Sequence, residues 1–280
     1  MIRLIAFLLL LALPAQAENV QLGDRFYRID LPPGVEGAPL ILALHGGGGG
    51  ADQFARNSGL SAPANRQGYA VIYPEGTGRA ATWNGGSCCG QAQARQVDDI
   101  AFLDQVIADA TARFSLDPGR VYLTGMSNGA IMAETYAARR PERVRAVAGV
   151  AGAMDTSLFK PAGAVPLLHI HGTADDRVPY GGGQGKNLRN RFASVASVEA
   201  AFLAPFPMLA RTERIIDPAR DGMRVLERNY SDARGVVQIR ILTIEGGGHA
   251  WPGSRRAPRQ GGTKDITANA EILRFFAEHP

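Results

Sequence analysis

The chain contains 280 residues, of which 45% are hydrophobic and 20% are charged, and its formal net charge is +4 at pH 7. This length and hydrophobic content are sufficient for one large domain with a substantial core. The small positive excess gives no case for a nucleic-acid partner. Beyond the first residues, no segment is long and apolar enough to span a membrane, which takes about 20 residues.

Residues 1–17 have the pattern of a secretory signal peptide. One positive charge, Arg3, precedes an uninterrupted apolar stretch at 4–13, and a small-residue site ends at Ala17. The apolar stretch is shorter than a membrane span. We therefore predict a signal peptide over residues 1–17 and a mature protein, 18–280, that is secreted or periplasmic. The alternative is an uncleaved anchor.

Behind this segment, predicted strands alternate with predicted helices. Apolar and alternating patterns predict strands at 26–31, 39–44, 69–73, 120–124, 144–150, 165–170, 224–230 and 236–244. Helical periodicity predicts helices at 97–114, from 130 to about 140, at 194–203 and at 266–277. This alternation predicts an α/β fold with a mostly parallel central sheet and helices on both faces, in one domain.

The most informative motif is a glycine-flanked serine. Residues 125–129 read Gly-Met-Ser-Asn-Gly, a G-x-S-x-G pattern, between the predicted strand 120–124 and the helix that follows. A serine on such a tight strand-to-helix turn exposes its hydroxyl, and its neighbours must be small because the turn is crowded. This context predicts Ser127 as a catalytic nucleophile, with an ordinary turn serine as the alternative.

Two further segments supply the groups that a serine nucleophile needs. A base must take the serine proton, and a carboxylate must orient the base. Asp175 follows the predicted strand 165–170, and His249 lies on a glycine-rich loop behind the strand 236–244. The resulting order Ser, Asp, His is that of α/β-hydrolases. The spacing H-G-x-x-D-x-x-V-P favours Asp175 over Asp176 as the carboxylate.

The base is predicted by comparison of the five histidines. His45 and His171 each precede a glycine at a strand end, a position that usually indicates a structural hydrogen bond. His169 lies inside an apolar strand, and His279 lies next to the C-terminus. His169 and His171 are spaced to face the same side of a strand, but no third metal ligand is near them. We therefore predict His249 as the base and expect no metal site.

The reaction also needs N–H donors for the developing oxyanion. Residues 44–50 end a predicted strand with five consecutive glycines, whose amides can turn towards a ligand without obstruction by side chains. We predict the amides of Asn128 and Gly47 as the two donors, with Gly46 and Gly48 as alternatives to the latter. No Gly-Lys-Ser or Gly-Lys-Thr follows the run, which argues against a phosphate-binding loop.

These segments resemble the esterase family that includes polyhydroxybutyrate (PHB) depolymerases and feruloyl esterases, a branch of the α/β-hydrolases. The matching segments are LHGGG at 44–48, TWNGGSCCG at 82–90 with VDD at 97–99, GMSNG at 125–129, HGTAD at 171–175 with VPY at 178–180, and GGHAWPG at 247–253. The resemblance implies a carboxylic ester hydrolase with Ser127, Asp175 and His249 as its triad. It does not separate polymer esters from phenolic or small acyl esters.

Two tryptophans lie beside these segments. An aromatic ring near a catalytic histidine can line an acyl or aryl pocket, and it can equally pack the loops together. We predict four substrate-binding candidates: Trp83, Asn84, Tyr180 and Trp251. Three arginines follow the last segment closely: Arg255, Arg256 and Arg259.

The sequence thus predicts a secreted serine esterase that works through an acyl-enzyme and requires no cofactor. Expected substrates are esters of a phenolic acid such as ferulate, or short hydroxyalkanoate esters, in small or polymeric form. Two rival interpretations are a serine peptidase of the same fold and a non-catalytic binding protein on a hydrolase scaffold. Transfer of the acyl group to an alcohol instead of water is a further alternative.

The adjacent cysteines, Cys88 and Cys89, generate the first testable prediction. Export permits their oxidation, and within one chain each can pair only with the other. We predict a disulfide between them, with two free thiols as the alternative. The intact mass of the exported protein should be lower than that of the reduced protein by two hydrogen atoms. Labelling of both thiols without a reductant would contradict the disulfide.

Overall fold

A computed structural model describes residues 17–186 and 190–280 of the chain. The predicted signal peptide lies outside the described residues, apart from its last residue, Ala17, which begins the first strand. Within these two ranges, no helix has both the length and the apolar character needed to cross a bilayer.

Most strands in the described residues belong to one ten-stranded sheet. The strands are β1 (Ala17–Leu22), β2 (Arg25–Asp30), β3 (Leu40–Leu44), β4 (Ala70–Pro74), β5 (Val121–Met126), β6 (Ala146–Val150), β7 (Leu167–Gly172), β8 (Gly183–Gln184), β9 (Arg191–Phe192), β10 (Ala210–Ile216), β11 (Arg224–Ser231) and β12 (Val237–Glu245). Their order across the sheet is β1-β2-β4-β3-β5-β6-β7-β12-β11-β10, and β8 and β9 form a separate hairpin. The six central strands, β4-β3-β5-β6-β7-β12, are parallel to one another. The strands at the two edges, β1 and β2 on one side and β11 and β10 on the other, pair antiparallel. The prediction of a mostly parallel sheet is therefore confirmed.

The alternation of side chains along a strand explains why β3, β4 and β6 are largely apolar. On β3, Leu40, Leu42 and Leu44 pack into the core on one face of the sheet. Ile41 and Ala43 pack into the core on the other face. Every residue of β3, β4 and β6 is buried. A polar side chain on a strand that is covered on both faces needs a buried hydrogen-bond partner.

Helices cover both faces of the sheet, as predicted. They are α1 (Ala51–Ser58), α2 (Ser61–Arg66), α3 (Gly90–Ala94), α4 (Asp99–Phe114), α5 (Asn128–Arg139), α6 (Val195–Leu203) and α7 (Ala268–Ala277). Apolar side chains of α4, α5 and α6 belong to one core, and those of α1, α2 and α7 belong to the other. The helix predicted from residue 97 begins at Asp99, because the Asp98 carboxylate accepts the amide of Ala101 and caps the first turn.

Several short or exposed elements are absent from the sequence prediction. Strand β10 is exposed along almost its whole length, so no apolar pattern marks it, and its pairing with β11 defines it. Helices α1 and α2 have eight and six residues. Such segments are too short for a helical period to be recognised.

The turn between β5 and α5 holds Ser127 in an unusual backbone conformation. Its φ is 56° and its ψ is −125°, in a region that residues other than glycine rarely occupy. A Cβ at Gly125 would overlap the backbone of Gly129, and a Cβ at Gly129 would overlap the carbonyl group of Leu44. The amide of Ser127 donates to the carbonyl oxygen of Val150 at 2.8 Å. The glycines of the motif therefore allow direct backbone contact between this turn and β3.

The substitution Gly129→Ala tests this contact. An alanine inside a helix is ordinarily about 1 kcal/mol more favourable than glycine. Here we expect the opposite, a loss of about 1–3 kcal/mol in the free energy of unfolding, because the methyl group has no space. Urea unfolding measures the difference. Gly181→Ala is the matched control, since a Cβ at Gly181 meets no atom within 4 Å. Equal stability of the parent and Gly129→Ala would contradict the predicted overlap.

Candidate active site

Four loops meet at the carboxyl ends of β3, β5, β7 and β12. The glycine run 46–50 follows β3, Ser127 follows β5, Asp175 follows β7 and His249 follows β12. Because these strands are parallel, their carboxyl ends lie at the same edge of the sheet, where open α/β sheets place their sites. A cavity of about 230 Å³ opens there, and its lining includes Gly47, Ser127 and His249.

A hydrogen bond joins the predicted base to the predicted carboxylate. Nδ1 of His249 lies 2.7 Å from Oδ2 of Asp175. Oδ1 of Asp175 accepts the amides of Arg177 at 2.9 Å and Val178 at 3.0 Å. Burial raises the pKa of Asp175, but hydrogen bonds from His171 and His249 outweigh it and hold the pKa well below its usual value. The carboxylate is therefore ionised, and the proton of a neutral His249 lies on Nδ1.

The structure brings Asp175, and not Asp176, to the histidine. Asp176 is exposed, and its carboxylate lies 3.1 Å from Nζ of Lys186. Ser127 and His249 line the same cavity, and Nε2 of His249 has no hydrogen bond within the described residues. Among the described residues, Ser127 donates no hydrogen bond to Nε2 of His249. Such bonds are often long in unliganded enzymes and tighten when substrate binds.

Two amide donors of the glycine loop are engaged within the protein. Gly48 donates to the carbonyl oxygen of Ala81 at 2.9 Å, and Gly49 donates within the loop. The amides of Gly47 and Asn128 have no acceptor in the part of the chain that the structure describes. Asn128 begins α5, and amides in the first turn of a helix lack an intrahelical partner. A Cβ at Gly47 would lie 3.6 Å from that of Asn128, so the loop and the turn are in contact.

Of the four residues predicted as substrate contacts, Trp83 and Asn84 do not line this cavity. Trp83 is fully buried; its amide donates to Oδ1 of Asn128 at 2.8 Å, and its carbonyl oxygen accepts Nδ2 of Asn128 at 2.9 Å. The indole Nε1 donates to the carbonyl oxygen of His45 at 2.9 Å. Nδ2 of Asn84 donates to the carbonyl oxygen of Val97 at 3.0 Å. The segment around Trp83 thus holds the serine turn and the β3 loop together.

Of the other two predicted substrate contacts, Trp251 lines the cavity and Tyr180 does not. The indole Nε1 of Trp251 donates to Oδ1 of Asn269 at 3.0 Å. Its ring packs edge-to-face against Phe54, with ring centroids 5.2 Å apart. The hydroxyl of Tyr180 is hydrogen-bonded to the hydroxyl of Thr243 at 2.8 Å instead. Phe54 and Trp251 therefore form an apolar wall whose orientation is fixed.

His45 has a structural role, as its position before a glycine predicts. Its Nε2 accepts the amide of Gly76 at 2.9 Å, so its proton lies on Nδ1. Nδ1 lies 2.9 Å from the carbonyl oxygen of Gly46. Burial lowers the pKa of His45 to about 4, which keeps the ring neutral at pH 7. With both nitrogens engaged, this histidine is not available as a base.

A chain of buried side chains runs behind Asp175. Nδ1 of His169 lies 2.7 Å from Oε1 of Glu134, and Nε2 of His169 lies 3.1 Å from Nδ1 of His171. Nε2 of His171 lies 2.8 Å from the carbonyl oxygen of Val178 and 3.3 Å from Oδ2 of Asp175. A carbonyl oxygen only accepts, so Nε2 of His171 carries a proton and its Nδ1 accepts from His169. Helix α5 is thereby connected to the loop of Asp175.

The adjacent cysteines lie on the segment around Trp83 and do not line the cavity. The structure joins Cys88 and Cys89 as a disulfide, and the peptide bond between them is cis. Cys88 is buried.

Polar side chains complete the lining of the cavity. Gln53 and Asn57 come from α1, Arg177 follows Asp175, and Arg256 follows the loop of His249. The sequence gives no signal for the residues of α1, because that helix is not predicted. Arg177 lies inside the H-G-x-x-D-x-x-V-P segment, whose spacing indicates the carboxylate but not the arginine.

Comparison with known proteins identifies the family. Residues 25–176 match the family model described as esterase PHB depolymerase. A protein of Nocardia uniformis subsp. tsuyamanensis, named as an esterase, NocK, is 32% identical over 246 residues, which cover 82% of this chain and 71% of that protein. Feruloyl esterase B of Piromyces equi is 28% identical over 79% of this chain and 42% of its own length. Poly(3-hydroxyalkanoate) depolymerase C of Paucimonas lemoignei is 33% identical over 84% of this chain and 60% of its own length.

The chain therefore spans less than two thirds of the length of the last two relatives. Among solved structures, an acetyl xylan esterase from Aspergillus awamori superposes with a TM-score of 0.63 at 14% identity, over 94% of this chain and 99% of that chain. An identity this low shows the fold alone, and that fold is the α/β-hydrolase fold that the sequence predicts. The match to more than half of the chain shows that this protein belongs to the esterase family of the PHB depolymerases.

Proposed function

We propose that this chain is a secreted serine esterase that hydrolyses carboxylic esters with Ser127, His249 and Asp175 as its triad. The observation that carries the proposal is the hydrogen bond of 2.7 Å between Nδ1 of His249 and Oδ2 of Asp175, beside the cavity that holds Ser127. The ionised carboxylate of Asp175 holds the proton of the imidazole on Nδ1, which leaves the lone pair on Nε2. Nε2 has no hydrogen-bond partner among the described residues.

In the acylation step, Nε2 of His249 takes the proton of Ser127, whose oxygen attacks the ester carbonyl. Asp175 stabilises the imidazolium that forms. The amides of Gly47 and Asn128 hold the oxyanion, and loss of one such donor typically costs about 10²- to 10³-fold in rate. The imidazolium then delivers its proton to the leaving alcohol, and an acyl-enzyme remains.

In the deacylation step, His249 activates water, which hydrolyses the acyl-enzyme and restores Ser127. These steps transfer only protons and an acyl group, so we propose that no cofactor takes part. Transfer to an alcohol would use the same acyl-enzyme, and product analysis in the presence of added methanol separates it from hydrolysis.

The substrates that we propose are esters of a phenolic acid such as ferulate, or short hydroxyalkanoate esters. Relatives named feruloyl esterase B and poly(3-hydroxyalkanoate) depolymerase C support both classes. The apolar wall of Phe54 and Trp251 suits an acyl or aryl group. The cavity, at about 230 Å³, is smaller than the roughly 300–1,000 Å³ of sites for drug-sized ligands. This size favours a small bound group.

We further propose that residues 1–17 are removed on export and that 18–280 form a single catalytic domain. Charge and hydrophobicity of the first residues support the signal peptide. One sheet that includes strands from β1 to β12 supports the single domain. Mass spectrometry of the exported protein should find Glu18 as its first residue.

The substitution Ser127→Ala should lower kcat by about 10⁶-fold on every ester that the parent hydrolyses, because the nucleophile is removed. The measurement uses the purified mature protein with methyl ferulate, p-nitrophenyl butyrate and soluble 3-hydroxybutyrate oligomers. Ser157→Ala is the matched control, at an exposed serine whose hydroxyl donates to Asp155. Faster turnover of peptides than of esters would identify the peptidase alternative. Unchanged ester hydrolysis by Ser127→Ala would refute the proposal.

The substitution Asp175→Asn should lower kcat by about 10⁴-fold, the loss found when the carboxylate of a Ser-His-Asp triad becomes an amide. The amide no longer stabilises the imidazolium. Asp176→Asn removes the neighbouring, exposed carboxylate and is the control, with kcat at the parental value expected. Comparable losses in both variants would contradict the assignment of the carboxylate.

The same variant tests the depressed pKa of Asp175. A carboxylate whose pKa is lower in the folded state stabilises the fold above its usual pKa of about 3.9, and this stabilisation is lost as the pH falls towards the depressed value. The difference in unfolding free energy between the parent and Asp175→Asn should be constant between about pH 5 and 7. It should then shrink from about pH 4 downwards. A difference that stays constant to about pH 2 would show that the pKa is not depressed.

A further inference from the structure

Two arginine side chains, Arg177 and Arg256, line the same cavity as Ser127 and His249. Arg177 lies two residues behind Asp175 on the loop after β7, and Arg256 lies behind His249 on the loop after β12. Each of the two loops that carry the proposed base and carboxylate thus also brings a guanidinium group to the cavity.

Neither of these guanidinium groups has a partner among the described residues. In the part of the chain that the structure describes, the side chains of Arg177 and Arg256 form no hydrogen bond and no ion pair. The buried Arg240 behaves differently, since it contacts the carboxylates of Glu227 and Glu278. An unpaired arginine that faces a cavity keeps its five N–H donors available for a ligand.

The charge of the cavity lining is of one sign. No aspartate or glutamate lines it among the described residues. Carboxylates on adjoining loops are already engaged: Asp175 accepts from His249, and Glu75 accepts the amide of Ala51 at 2.7 Å. The whole chain has a net charge of only +4, so two unpaired positive groups beside one small cavity are a local concentration of charge. Such a cleft attracts anions.

Hydrogen bonds of the backbone hold the main chain of both arginines in place. The amide of Arg177 donates to Oδ1 of Asp175 at 2.9 Å. The carbonyl oxygen of Arg256 accepts the amide of Arg259 at 3.0 Å, at the start of the short helix Ala257–Gln260. A guanidinium group is a planar fork that binds a carboxylate through two parallel hydrogen bonds. The two arginines therefore offer carboxylate recognition beside the proposed nucleophile.

We propose that the site selects esters that carry a free carboxylate, bound by Arg177 and Arg256, a few bonds from the ester that Ser127 attacks. The inference rests on the proposed function of Ser127, and it decides between the two substrate classes named there. A soluble hydroxyalkanoate oligomer ends in a carboxylate, whereas methyl ferulate has no such group at neutral pH. The cavity volume of about 230 Å³ limits how far the carboxylate is from the scissile ester.

Two substrates that differ only in charge test the inference. They are the dimer of 3-hydroxybutyrate with its free carboxylate and the same dimer ending in a carboxamide, and both contain the same scissile ester. The parent should show a kcat/KM about 10- to 100-fold higher on the acid, the range for hydrogen bonds to a charged group. Arg177→Gln and Arg256→Gln should each lower this acid-to-amide ratio about tenfold. Arg255→Gln is the matched control, since Arg255 is exposed, as Arg177 and Arg256 are, but does not line the cavity.

The outcomes separate this inference from the proposed function. Equal kcat/KM on the acid and the carboxamide, with Ser127→Ala inactive on both, would overturn the inference and leave the esterase intact. A ratio that falls equally in Arg255→Gln and Arg256→Gln would assign the preference to overall charge and would also overturn it. Hydrolysis of both dimers and of p-nitrophenyl butyrate that survives Ser127→Ala would refute the proposed function, and the inference with it.

Discussion

The backbone contact between the turn at Ser127 and the carboxyl end of β3 is the constraint on which the site depends. Two chain segments approach this closely only where one of them has no side chain, and Gly129 meets that condition against the carbonyl group of Leu44. On the opposite side, a Cβ at Gly152 would overlap the carbonyl oxygen of Ser127, so the loop after β6 closes on the same turn. The position of the serine is therefore set by the spacing of neighbouring strands, about 4.8 Å. The glycine loop follows directly after β3, which neighbours β5. Gly47 therefore lies against Asn128, the first residue of α5.

The pairing of Trp83 with Asn128 extends this constraint to the rest of the site. The side chain of Asn128 uses both its donor and its acceptor on the backbone of Trp83, and the indole of Trp83 binds the β3 loop at His45. The side chain of Asn128, the residue after the serine, thus has a structural role, while its backbone amide has no acceptor among the described residues. Arg25 adds to this support, because its guanidinium group lies 5.2 Å from the Trp83 ring centroid and pairs with Asp99 at 2.7 Å.

The sequence predicts those features that depend on local pattern and on chain order. Buried parallel strands are recognisable because both faces are apolar, and the order of Ser127, Asp175 and His249 follows from motifs at strand ends. The role of Trp83 is different, because an aromatic residue beside a motif looks the same whether it faces a cavity or a core. Its burial is decided by partners that lie far away in the chain. Arg177 illustrates the same limit, since its lack of a carboxylate partner among the described residues is a property of the folded loops and not of neighbouring residues.

Burial separates the charges of the site into an inner and an outer group. Glu134, His169 and His171 form a hydrogen-bonded chain that ends at Asp175. Because His171 donates through Nε2 to a backbone carbonyl and accepts through Nδ1, the other ring nitrogen of His169 faces Glu134. Asp175, whose pKa is held well below its usual value, is the ionised carboxylate at the end of this chain. His249 stands between that charge and the cavity. Arg177 and Arg256, which line the cavity, belong to the outer group and have no carboxylate partner among the described residues.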